Sequence, residues 1–253
     1  MRLIDPDTTI QKEGLLPVTT YMIHEPSTNK FHPDGLFSEV IFGSIGSSER
    51  LVRFGYIDLR TTVIQPHIYT NLLKLNSMYN SVLTSKSYCV FNKKTKNLEL
   101  ADAETPGAFT GFRKFCEYIH QIDFLSTGSL IRDDRISVLD RYRDKILMNK
   151  MLVMPAGIRD VREDESGRLS LEDVNKLYLS LISLTSASPE DTSASDDPVF
   201  DPIRVNIQSK VMEIYEYCME IISGKSGYAQ GKFASRNIAL GIVTGKQIGR
   251  AHV

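Results

Sequence analysis

An α+β fold is predicted by three observations. Short β-rich runs (Gly35 to Leu59, Tyr88 to Lys94 and Ile146 to Pro155) are punctuated by glycine, proline and polar turns. Stretches with apolar residues at steps of three and four alternate with them, as amphipathic helices require. The last two helical stripes flank a long acidic loop, which predicts two antiparallel helices joined by a polar tip. The 253 residues can bury a sizeable core, and 42% apolar with 24% charged residues is ordinary for a globular chain. A net charge of -1 gives no global attraction to nucleic acid, so any basic surface has to be local.

Taken in order, the first ~30 residues are polar and interrupted by Pro6, Pro17 and Pro26, which predicts an extended arm with short strands. Gly35 to Leu59 mixes turn glycines with β-branched and aromatic residues, predicting short strands around tight loops. Pro66 to Tyr79 places Ile68, Leu72, Leu73 and Leu75 at near-helical spacing. Tyr88 to Lys94 is expected to be a strand entering a basic turn. Thr110 to Phe124 is expected to be a helix with Phe112, Phe115, Cys116 and Ile119 on one stripe. Ile146 to Met154 is an apolar run stopped by Pro155.

Ser170-Leu171-Glu172-Asp173 has the spacing of a capping box, with an acid three residues after the serine. Behind it Leu171, Val174, Leu177, Tyr178, Leu181 and Ile182 form one stripe. Ile207, Val211, Ile214, Tyr215, Cys218, Ile221 and Ile222 form another. Ser186 to Pro202 between them holds three prolines, five acids and no basic residue. On pattern alone an ordinary helix pair inside a globular core is the better reading of this pair than a free-standing hairpin.

Cys89, Cys116 and Cys218 are isolated from one another and outside any metal spacing, so neither a disulfide framework nor structural zinc is expected. No stretch approaches the ~20 apolar residues of a membrane span, and a cytoplasmic chain is expected. Ile248 to Val253 reads as a translated sequencing adapter, which predicts that the natural reading frame continues; a genuine short tail is the alternative.

Four motifs carry a resemblance to a known family. Gly35-Leu36-Phe37-Ser38-Glu39-Val40-Ile41-Phe42-Gly43 is followed by Arg53-Phe54-Gly55-Tyr56-Ile57-Asp58-Leu59 and Pro66-His67. These resemble the G-L-F-x-x-x-I-F-G, R-x-G-H-I-E-L and P-x-x-H stretches that open the β′ subunit of multisubunit DNA-dependent RNA polymerases. The zinc ribbon of that family normally lies between the first two runs; here only the nine residues Ser44 to Val52 separate them, with no cysteine. Val153-Met154-Pro155-Ala156-Gly157-Ile158-Arg159 resembles the V-L-P-x-x-L-R-P sequence that opens the β′ lid. The helical pair stands where β′ carries its clamp helices. Gly224 to Asn237, with Lys225, Lys232 and Arg236 over twelve residues and no acid, resembles the template-gripping switch 2.

The resemblance spans roughly residues 15–75 and 150–237 in the family's order, and is most like the reduced polymerases of large bacteriophages. It implies a clamp region without zinc ribbon at 1–150, a lid and protruding clamp-helix hairpin at 151–223, a switch-like segment at 224–247 and the adapter-like end at 248–253. It implies that Lys225, Lys232 and Arg236, with Arg159, Arg162 and Arg168 of the lid, contact nucleic acid. It also implies that Glu190, Asp191, Asp196 and Asp197 at the acidic tip dock a sigma-like promoter-specificity factor. Partners would be the remaining β′ and β-like polypeptides, template DNA and nascent RNA.

The N-A-D-F-D-G-D signature that holds the catalytic magnesium is absent from these 253 residues. No catalytic residue, metal ligand or cofactor is therefore expected in this chain, and Mg²⁺ is expected only in the full nucleotidyltransferase. The alternatives are a non-catalytic nucleic-acid or transcription-factor binding module and a phage structural protein with accidental likeness.

Overall fold

The structure, a computed structural model, describes residues 5–159, 161–163, 169–188 and 197–222, without the side chains of 162, 163, 169 and 218–222. Two compact units interleave along the chain. The first takes residues 1–60, 150–187 and 210–253, and the second takes 61–149 and 188–209. Helices and small antiparallel sheets are mixed in both, as the α+β expectation holds.

The first unit opens on α1 (Pro6–Glu13), where the sequence suggested an extended arm. Its proline sits at the helix start, where a missing N–H costs nothing, and Asp5 Oδ1 accepts from Asp7 N at 3.1 Å. Gly14, with φ +60°, closes the helix in the left-handed region. Residues 35–52 also depart from expectation, because they fold as two single helical turns, α2 (Glu39–Phe42) and α3 (Glu49–Val52). Ser38 explains the first: its hydroxyl accepts from Val40 N and Ile41 N, both at 3.1 Å, and donates to Pro33 O. A local cap outweighs the strand preference of Val40 and Ile41.

β1 (Gly55–Ile64) pairs with β4 (Leu147–Val153) in a two-stranded sheet. Pro155 then ends the apolar run, and Ala156–Ile158 makes one 3₁₀ turn. The candidate lid is a hairpin rather than an open loop: β5 (Val161–Glu163) and β6 (Leu169–Leu171) pair antiparallel, with Arg162 opposite Ser170. Ser170 is thus a strand residue. The following helix, α8 (Asp173–Ser186), starts from Glu172, so the capping box does not form. The expected stripe is nonetheless buried at Val174, Tyr178, Leu181 and Ile182.

The second unit holds α4 (Pro66–Leu75), α5 (Met78–Leu83), the hairpin β2 (Tyr88–Asn92) and β3 (Asn97–Ala101), and α6 (Phe112–Tyr118). The order continues with α7 (Leu130–Arg141). Ile68, Leu72, Phe112, Phe115, Cys116 and Ile119 are buried, as their spacing predicted. α7 carries no clear stripe and buries only Leu139.

The final helix, α9 (Asp201–Ile222), buries Ile207, Val211, Ile214 and Tyr215. It starts in the second unit and ends in the first. Three polar residues on the same stripe, Asp201, Arg204 and Gln208, are buried as well. Gln208 serves the end of β1: its Oε1 accepts from Ile64 N at 2.7 Å and its Nε2 donates to Ile64 O at 3.0 Å. The amide stands in for a neighbouring strand, satisfying a backbone pair that would otherwise be buried without partners.

Candidate functional site

Arg159 is the centre of the most connected polar arrangement in the first unit. It was expected on a solvent-facing lid and instead is wholly buried. Nε donates to Met154 O at 2.8 Å, Nη1 to Asn175 Oδ1 at 3.0 Å and Nη2 to Leu36 O at 2.6 Å. Asn175 returns a bond from Nδ2 to Arg159 O at 2.8 Å. The guanidinium lies 4.8 Å from the ring centre of Phe42, 5.3 Å from Phe37 and 5.8 Å from Tyr178. A planar fork with fixed donors suits this cage, and aromatic faces offset part of the cost of burying its charge. So placed, Arg159 has no exposed edge for a phosphate, and its expected nucleic-acid contact is corrected to a packing role.

A second arginine holds the same turn. Arg50 donates from Nη1 to Gly43 O at 2.9 Å and from Nη2 to Phe37 O at 3.0 Å, with its guanidinium 5.8 Å from the Phe31 ring. Residues 36–43 therefore have three of their carbonyls capped by two buried arginines. Close approach makes glycine necessary nearby. A Cβ on Gly157 would lie 2.9 Å from Arg50 O, and one on Gly55 2.9 Å from Ile41 Cγ2. Segments 35–43, 50–55, 154–159 and α8 are locked as one body.

In the second unit the corresponding node is Asp201. Its Oδ1 accepts from Arg204 Nη1 at 2.7 Å and from Arg113 N at 3.3 Å. Gly111, the residue before α6, has no side chain to cap that helix, and Asp201, 88 positions beyond Arg113, supplies the carboxylate. Cys116 lies beside it; burial, with the Asp201 charge, pushes the thiol up to about 12. Burial alone pushes Cys89 up to about 11. Thiols so disfavoured as thiolates are poor nucleophiles and metal ligands.

Of the acidic tip, Asp197 is described. It is exposed, its Oδ1 accepts from Val199 N at 2.9 Å to start the Pro198–Phe200 turn, and its carbonyl accepts from Arg204 Nη1 at 3.1 Å. Glu190, Asp191 and Asp196, the lid residue Arg168, and Lys225, Lys232 and Arg236 lie outside the described residues, as do 224–253 altogether. For Arg162 only the backbone, in β5, is described. Each of the nodes at Arg159 and Asp201 includes a backbone group far away in sequence, Leu36 O and Arg113 N, which local patterning does not reveal. A buried-stripe arginine such as Arg204, at helical register with Ile207 and Val211, was the one available signal.

Among the described residues no group of three or more His, Cys, Asp or Glu could hold a metal ion, and no helix is long and apolar enough to cross a membrane. No family model matches the chain, and no curated protein matches it.

Proposed function

We propose that this chain is the clamp-forming part of a divergent β′ subunit of a DNA-directed RNA polymerase, holding template DNA and docking a promoter-specificity factor in the full assembly. The observation that carries the reading is the Arg159 cage. Three stretches that resemble successive β′ segments are bonded to one guanidinium: the turn at 35–43, the lid opening at 153–159 and the first candidate clamp helix, α8. Accidental likeness of scattered short motifs gives no reason for them to share a core.

In this reading the β5–β6 hairpin is the lid that parts nascent RNA from template. Residues 187–200 between α8 and α9 present the acidic tip, and Lys225, Lys232 and Arg236 neutralise template phosphates in a glycine-rich segment open to close backbone approach. The chain's own residues do not fit a catalytic magnesium site, since the clustered aspartates that hold two metals in such enzymes are absent from the sequence. In this reading these 253 residues do not themselves supply the metal site for bond formation.

The test is to tag this chain in its native cell, purify what assembles with it, and assay ribonucleotide incorporation on a DNA template. Template-dependent RNA synthesis is expected. A chain that purifies alone, or in an assembly that makes no RNA, would overturn the reading.

A further inference from the structure

The β2–β3 hairpin ends in Asn92-Lys93-Lys94-Thr95-Lys96-Asn97, and all three lysines of this turn are exposed. The turn is built to hold its shape. Asn92 Oδ1 accepts from Lys94 N at 2.9 Å and Thr95 N at 3.3 Å, and Lys96 sits in the left-handed region at φ +47°. Glu99, the acid nearest in the hairpin, is engaged by Asn92 Nδ2 at 2.8 Å and Thr95 Oγ1 at 3.3 Å. Lys96 is held by Asp123 at 3.4 Å. Lys93 and Lys94 have no ion-pair partner among the described residues. Asp102 and Glu104 follow the far end of β3, about 14 Å along the strands, beyond the ~8 Å screening length at physiological salt. With Lys93, Lys94 and Lys96 set against Glu99 and Asp123, the tip keeps a small net positive charge, carried by Lys93 and Lys94.

The surroundings narrow the partner. Behind the tip, Tyr118 is stacked between Phe91 at 5.2 Å and Phe109 at 4.7 Å, so both of its faces are used. Tyr118 therefore offers no stacking platform to a base of a single strand. Residues 93–96 carry no apolar side chain, so neither the dry centre of a protein interface nor insertion into a bilayer is provided for. Two adjacent exposed lysines on a turn without apolar side chains suit a point-charge contact with a dense, regular line of phosphates.

We propose that the Lys93–Lys94 turn contacts the sugar-phosphate backbone of duplex DNA without reading its sequence. The proposal stands on the hairpin itself and is independent of the polymerase reading. The test is to measure binding of the full chain to a short labelled duplex by anisotropy across a series of salt concentrations, beside the variant Lys93→Ala/Lys94→Ala. Both side chains are exposed, so the variant should keep the melting temperature. The expected result is a several-fold weaker affinity at low salt and a log–log salt slope smaller by about 2. A photo-crosslinking residue in place of Thr95 should attach to the duplex. No binding by the unaltered chain, an unchanged slope in the variant, or a loss seen on anionic vesicles or single strands and not on duplex would each overturn it.

Discussion

Arg159 Nη2 reaches Leu36 O at 2.6 Å, joining residues 123 positions apart and tying the turn at 35–43 to the segment after β4. The bond belongs to a cage in which every edge of the guanidinium is used. Arg159→Ala should therefore cost about 3–5 kcal/mol in chemical denaturation, because it leaves Asn175 and two carbonyls buried without their donor. Arg159→Lys keeps the charge but not the fork, and should still cost about 2 kcal/mol. A neutral effect of the alanine variant would contradict the cage.

Gly111 has φ +95°, and a Cβ there would come 2.0 Å from Asp201 Oδ2. Gly111→Ala should lower stability by ~3 kcal/mol through backbone strain and the clash together. Asp201→Ala removes one side of the clash, so the double variant should lose less than the sum of the singles. Additive losses in a melting series would mean that the two residues do not meet.

The thiols give a pH prediction. Cys116 and Cys89 are held near 12 and 11 in the folded chain, against 9.0 for a free thiol. Above pH 9 the unfolded state releases these protons while the folded state keeps them. The stability present below pH 9 should accordingly be lost as pH rises from 9 towards 12. In a Cys218→Ser background, neither thiol should react with an alkylating reagent at neutral pH until the protein is unfolded. Fast native labelling would contradict the burial.

How much of this was legible in the sequence follows from the range of each interaction. The stripes Ile68–Leu72, Phe112–Cys116 and Ile207–Tyr215 announce themselves because helical periodicity is local, and their burial follows it. β4 and the β2 strand with its basic turn were equally readable. α1 departs from the extended arm that Pro6, Pro17 and Pro26 predict, although Asp5-Pro6 is itself a local helix-start signal. The turn at 39–42 departs from strand preference because the Ser38 cap overrides it, whereas the turn at 49–52 has no side-chain cap from Ser48 to announce it. The placement of Arg159 was not legible, because a charged residue in a mixed-charge stretch looks solvated until a distant partner such as Leu36 O is known; for Asp201 the one signal was Arg204 on the apolar stripe.

The acidic tip should act through charge. If the proposed polymerase reading holds, neutralising Glu190, Asp191 and Asp196 should weaken capture of a specificity factor most at low salt and leave folding intact. Asp197 is better kept, because its cap on Val199 contributes about 1 kcal/mol of local stability. Normal recruitment by the triple variant would make the tip a passive loop.

The central claim is that this chain grips template DNA within a polymerase, and Lys225, Lys232 and Arg236 carry it. The direct measurement is open-complex lifetime across a salt series in the full assembly, with all three replaced by alanine. Each lost phosphate contact lowers the salt slope by ~1, so the slope should fall by about 3, equally on any template. A slope unchanged from the parent assembly would mean that these side chains meet no phosphate, contradicting the template-gripping role.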